Sequence, residues 1–104
     1  ITLVAEDNDP ETNEPRIIGA SRLSKLHSQN GASYTVMISD CCQGKGLGTV
    51  LLSKLIEIGR AEKLEWIEAY ITSDNLAMQA VSKKLGFTIS PTDSEHLVRA
   101  ELIL

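Results

Sequence analysis

"SYTVMISDCCQGKGLGTVLLSKLIEIGRAEKL", residues 33–64, decides the architecture of this chain. It opens as an apolar run through Val36, Met37 and Ile38, continuous enough to predict a strand buried on both faces. It closes with Leu47, Leu51, Leu55 and Ile58 at helical spacing, while Lys54, Glu57 and Arg60 take the remaining surface. Between the two lies "QGKGLGT", residues 43–49, with glycine at every second position and a lysine inside. Glycines leave backbone N–H groups open to close approach. The start of a helix adds unpaired donors and a partial positive charge. Strand, glycine loop and helix in this order predict an anion site, best suited to phosphate.

Working outward, "ITLVAED" and "RIIGASRLSKL" read as two strands, broken by the polar loop "NDPETNEP" with Pro10 and Pro15. That loop, with Glu6 and Asp7, makes an acidic tip that reads as a solvated turn. "HSQNGAS" is a second turn, in which Asn30-Gly31 is a strong hairpin signal. Beyond the helix, "EWIEAYIT" alternates, with Ile67, Ala69 and Ile71 on one face and Trp66, Glu68 and Tyr70 on the other. "SDNLAMQAVSKKLGF" starts with capping residues and stops at Gly86, with Leu76, Met78, Val81 and Leu85 as its apolar side. "FTIS" and "EHLVRAELIL" close the chain as two more strands. Three strands, a helix, a strand, a helix and two strands predict a mixed α/β sheet with packed helices.

At 104 residues the chain fits one small domain, residues 1–104. Hydrophobic residues make up 42% and charged residues 23%, an ordinary globular balance. The net charge of -4, from 10 basic and 14 acidic residues, argues against a broad nucleic-acid surface. No run approaches the roughly 20 apolar residues of a membrane span, which argues against a membrane partner. Adjacent Cys41 and Cys42 form no zinc-ligand pattern and no disulfide framework, so no metal is expected and a reduced, cytoplasmic setting follows. They read as small buried thiols beside the loop, with a redox role on cofactor binding as the sharper alternative. His27 and His96 have no partner pattern and read as solvated residues.

Which phosphate ligand the loop takes is a matter of spacing. An ATP loop requires Ser or Thr after its lysine, and Gly46 stands there. A dinucleotide loop requires its third glycine where Thr49 stands. The pattern that fits is Q/R-x-x-G-x-G/A, met by Gln43, Gly46 and Gly48. Together with the Asn-led "SDNLAMQAVSKKLGF", the chain resembles the GNAT N-acyltransferases, which use acetyl-CoA, over residues 16–104. "GASRLSKLH", "DCCQGKGLG" and "KKLGF" most resemble the GNAT domain attached to NDP-forming acyl-CoA synthetase-like protein-lysine acetyltransferases.

The resemblance implies a mostly antiparallel GNAT-type sheet with two packed helices. It lacks the family's N-terminal strand and helices, so the chain reads as a piece of a longer one, with an uncovered sheet face inviting self-association. It implies that acetyl-CoA is the cosubstrate and that a primary amine, a protein lysine foremost, is the acceptor. The backbone of Gly44, Lys45, Gly46, Leu47, Gly48 and Thr49 would cradle the pyrophosphate, with Gln43 bordering it. The strand edge at Met37 and Ile38 would pair with the pantetheine amides. Asn75 would approach the pantetheine arm while capping its helix. No catalytic residue is assigned. Many relatives carry a Tyr as the acid where Ser82 stands, and those of the synthetase-attached type tend to carry a Glu base at the position of Ser33 and often another at that of Tyr70. Glu68 or Tyr70 could substitute. The alternative to an enzyme is an acyl-CoA-sensing regulatory domain that has lost its chemistry, with a nucleotide-binding regulatory fold as a third reading.

Overall fold

The computed structural model describes residues 1–27 and 29–104. The elements are β1 (Thr2–Asn8), β2 (Pro15–Lys25), β3 (Gly31–Ile38), α1 (Leu47–Ala61), β4 (Trp66–Thr72), α2 (Leu76–Lys84), β5 (Thr88–Pro91) and β6 (Leu97–Ile103). A single turn of 3-10 helix, Asp40–Cys42, links β3 to the glycine loop and was not legible in the sequence. The strands form one sheet in the order β1-β2-β3-β4-β6-β5. All neighbours are antiparallel except β3 and β4, so the sheet is mixed and mostly antiparallel with two packed helices.

Alternation along the strands determines which face is buried. Ala32, Tyr34, Ile67, Ala69 and Ala100 point toward the helices and are at most 5% exposed. Leu52 and Leu55 of α1 are fully buried among them. Each such leucine contributes about 1.5–3 kcal/mol of burial, so α1 is held chiefly by this apolar stripe. α2 adds Met78, Val81 and Leu85 to the same layer. It ends as its sequence requires, with Gly86 at φ 99° and the Phe87 N–H donating to the Ser82 carbonyl at 2.9 Å.

Four expectations change on contact with the structure. Met37 is 75% exposed, because β3 is covered by helices on one face alone and Met37 points to the other. Leu76 is 70% exposed, because as the first residue of α2 it projects past the edge of the core. The Asn30-Gly31 pair makes no left-handed turn: Gly31 has no positive φ and instead starts β3 in register with Trp66. The middle of that connection, Ser28, lies outside the described residues. Glycine is needed at position 31 for another reason, since a Cβ there would enter the Trp66 indole.

The uncovered face, expected to invite self-association, is not continuously apolar. Val4, Met37, Tyr70 and Ile103 are exposed on it. Glu68, Arg99 and Glu101 interrupt them, with the Arg99 Nε donating to Glu68 at 2.7 Å and its Nη2 to Glu101. The hydrogen bonds to Glu101 and Glu68 raise the Arg99 pKa above its ordinary value, so this centre stays charged.

Candidate functional site

β3 and β4 are in register over Gly31–Trp66, Ala32–Ile67 and Ser33–Glu68, and then part. Beyond that point Tyr34–Ile38 keep β2 on one side, while β4 from Ala69 onward keeps β6. The facing edges of the two strands are therefore left without each other. A strand edge without a neighbour presents N–H and C=O groups to whatever occupies the gap. A cleft of about 400 Å3 opens beside the end of β3, between it, the glycine loop and the first turns of α1 and α2.

The glycine loop closes one end of the cleft. Gly44 and Gly46 adopt φ 77° and 83°, left-handed conformations that cost other residues roughly 1–2 kcal/mol. Gly46 is the N-cap of α1, and no side chain caps this helix or places an acid in its first turn. The Val50 N–H reaches the Gly46 carbonyl at 3.2 Å, but Leu47, Gly48 and Thr49 have no acceptor within the helix. Three donors without a partner among the described residues, and the positive end of a 15-residue helix, thus line the cleft. The contrast with α2 is informative. There the Asn75 Oδ1 accepts the Met78 N–H at 3.1 Å, so that helix caps itself.

Gly48 tests whether the residues fit a phosphate-bearing group. A Cβ built there meets only the Met78 methyl, at 3.9 Å, and its φ is not positive. Neither packing nor backbone strain in the protein demands glycine. The position is thus open to close approach, as a pyrophosphate resting on the first turn would require.

Nine of the ten residues singled out from the sequence line this cleft: Met37, Ile38, Gln43, Gly44, Gly46, Leu47, Gly48, Thr49 and Asn75. Lys45 does not. It is exposed outside the wall and helps hold down the Asp7 carboxyl. The Gln43 Nε2 bonds the Ile38 carbonyl and Asp40 Oδ1, both at 3.3 Å, bracing the loop to the end of β3. Sequence reasoning missed the apolar wall of Val36, Ala77, Met78 and Val81, and also Cys42. The alternation of Val36 with Ile38 and the helical spacing of Met78 and Val81 were the available signals. Cys42 is buried as expected, but Cys41 is exposed.

The positions expected to carry proton chemistry are arranged differently. Ser82 is fully buried, and its Oγ lies 2.6 Å from the Tyr34 hydroxyl. Burial raises the Tyr34 pKa above its ordinary value, outweighing the Ser82 hydrogen bond, so the phenol stays protonated and the bond ties β3 to α2. Tyr34→Phe is expected to strand the Ser82 hydroxyl and cost about 1–3 kcal/mol. Urea denaturation would read this, with ligand affinity retained. Glu68 lies on the open face opposite Ser33, at the last paired position before the split, and Tyr70 is 59% exposed two residues on. His27 and His96 are exposed and away from the cleft.

Beside the loop, Arg16 Nε donates to Asp7 Oδ1 at 2.6 Å. This hydrogen bond lowers the Asp7 pKa below its ordinary 3.8. A depressed carboxyl stabilises the folded state above its unfolded pKa, and that contribution disappears as pH falls through the folded value. The Asp7 midpoint, followed by carboxyl-carbon NMR, is expected below 3.8 and should return toward it in Arg16→Gln.

A mixed sheet that parts between β3 and β4, an uncapped helix start and an apolar wall beside it define an α/β domain with an open cleft at the glycine loop. The acetyltransferase (GNAT) domain model matches residues 2–88, and the chain belongs to that family. It is 44% identical over 57 residues to the L-methionine sulfoximine/L-methionine sulfone acetyltransferase of Pseudomonas paraeruginosa, covering 55% of this chain and 33% of that protein. It is 32% identical over 95 residues to the mycothiol acetyltransferase of Saccharomonospora viridis, covering 83% of this chain and 31% of that protein. The chain thus spans about a third of the length of these curated relatives. Among solved structures, it is similar to yncA, a putative acetyltransferase from Salmonella typhimurium with its cofactor acetyl-CoA. That match has a TM-score of 0.75 at 27% identity, over 85% of this chain and 58% of that one. Among the described residues no helix is long and apolar enough to cross a membrane.

Proposed function

We propose that residues 1–104 form a single acetyl-CoA-binding domain within a longer N-acetyltransferase, which moves acetyl from acetyl-CoA to a primary amine. The observation that carries this is the uncapped start of α1 lining a cleft with the end of β3, with Gly48 free of any packing reason to be glycine. The N–H groups of residues 47–49 and the backbone of Gly44 to Gly46 would hold the pyrophosphate, with Gln43 keeping the loop in place. The free edge at Met37 and Ile38 would hydrogen-bond the pantetheine amides, and Asn75 would border the arm. Bound acetyl-CoA supplies an acyl carbon activated as a thioester. A backbone N–H of the free β3 edge would polarise its carbonyl as charge develops on oxygen. Glu68 would accept the proton of the attacking amine. The buried Ser82 leaves the thiolate to take its proton from solvent.

The acceptor we propose is a lysine side chain of a protein. The synthetase-type resemblance of "DCCQGKGLG" and "KKLGF" points to it. The two relatives, an L-methionine sulfoximine/L-methionine sulfone acetyltransferase and a mycothiol acetyltransferase, make small molecules the competing acceptors. A cytoplasmic setting agrees with the two free thiols. A second reading is favoured by one observation. Ser82 is sealed behind Tyr34, so no side-chain acid is available from α2, as in a domain that senses acyl-CoA without turning it over.

Thiol release from acetyl-CoA, with a lysine peptide and L-methionine sulfoximine offered in parallel, separates these readings. Acetylated lysine by mass spectrometry is the expected result. Acetylation of the small amine alone overturns the acceptor, and binding without turnover favours the sensor.

A further inference from the structure

The turn that leads into the glycine loop carries two adjacent thiols, Cys41 exposed and Cys42 buried in the cleft wall. Their Sγ atoms are in contact. A Cys-Cys pair can close a disulfide only if both side chains turn to the same side of the intervening peptide, and here they already do. The turn is itself part of the loop's support. The Cys42 N–H donates to the Ser39 carbonyl at 2.9 Å, and Gln43, the next residue, bonds back to Ile38 and Asp40.

We propose that Cys41 and Cys42 are a redox-modified pair that closes to a vicinal disulfide by exchange with a small disulfide such as oxidised glutathione, and so loosens the anion cradle. The effect on cofactor binding rests on the function proposed above; the modification itself does not. In the first step the exposed Cys41 thiolate attacks one sulfur of the small disulfide, forming a mixed disulfide and releasing one small thiolate. Cys42, deprotonated by solvent, then attacks the Cys41 sulfur and releases the second. The protein loses two electrons and two protons, and the small disulfide becomes two thiols. The Cys41 hydrogen bond and burial raise the Cys42 pKa, which agrees with Cys41 reacting first.

Closing the ring across one peptide bond strains it, because adjacent Cα atoms lie about 3.8 Å apart and disulfides favour roughly 4.4–6.8 Å. Strained, accessible disulfides are readily reduced, which suits a reversible modification. The strain falls on the Asp40–Cys42 turn and is passed through Gln43 to Gly44 and the donors beyond.

The test equilibrates the chain in glutathione buffers of graded oxidation, then alkylates it and weighs the intact protein. The expected result is passage from two alkylated thiols to none, without a lasting glutathione adduct and reversible by dithiothreitol. Hydrogen exchange of residues 43–49 should accelerate in the oxidised form. Acetyl-CoA affinity should fall on the order of tenfold or more, the effect of losing one charge-assisted hydrogen bond. Cys41→Ser should bind like the reduced wild type and lose all sensitivity to oxidation. A stable adduct on Cys41 without ring closure, or a closed ring with unchanged exchange in the loop, overturns the proposal. If the reduced chain does not bind acetyl-CoA, the functional reading fails, while thiol counting and exchange still decide the fate of the pair.

Discussion

Gly48→Asp is expected to abolish acetyl-CoA binding in a protein that folds at least as well as the parent. The new Cβ makes only an ordinary contact with Met78. A carboxylate in the first turn of α1 complements the helix dipole and contributes about 0.3–1 kcal/mol of stability. Aspartate ranks only just above glycine as a helix former, so the backbone change adds no more than about 0.3 kcal/mol. The same carboxylate would sit where the cleft is read to receive phosphate. Two like charges about 4 Å apart at an effective dielectric of 20 repel by about 4 kcal/mol, which is a loss of a hundredfold or more in affinity. Gly48→Ala removes the charge and keeps the methyl, so its loss should be much smaller. Calorimetry and urea denaturation on the three proteins read both quantities. Equal affinity in Gly48→Asp and the parent would remove the anion from the start of α1.

Gly31→Val is the second large effect, and its sign opposes strand propensity. Valine is a better strand former than glycine by up to about 1 kcal/mol, so propensity alone predicts stabilisation. The structure predicts the reverse, because the Cβ would enter the body of the Trp66 indole rather than the tip of a flexible chain. Overpacking costs typically about 1–3 kcal/mol, and the rigid ring puts this case near the upper end, about 3 kcal/mol. That is a large part of a stability of roughly 5–15 kcal/mol. Trp66 pairs with Gly31 at the first position of the short β3–β4 register, so displacing it also disturbs the point from which the cleft opens. Weaker acetyl-CoA binding and a shift in Trp66 emission should accompany the lost stability. Unchanged stability would mean that the indole does not lie over position 31.

The sequence was most informative where periodicity and backbone requirements agree. α1 was legible from Leu47, Leu51, Leu55 and Ile58, although Leu52 and Ile56 are buried beside them. The loop was legible because Gly44 and Gly46 need left-handed backbone that few other residues tolerate. Tertiary placement was not legible. Val36, Met37 and Ile38 are all apolar, and nothing local says that the far face of β3 is uncovered. The split itself follows from where the β3–β4 register stops, a long-range property that no pattern within either strand encodes. The Tyr34–Ser82 bond joins residues 48 apart and closes off the acid position from inside, again beyond reach of motif spacing.

Calorimetric titration of the reduced chain with acetyl-CoA, beside ATP and NAD as parallel ligands, tests the central claim most directly. The account predicts saturable binding of acetyl-CoA alone, with a thermal scan at about 100 times the dissociation constant gaining roughly 2.7 kcal/mol of stability. Binding of ATP or NAD in its place, with none of acetyl-CoA, would contradict it.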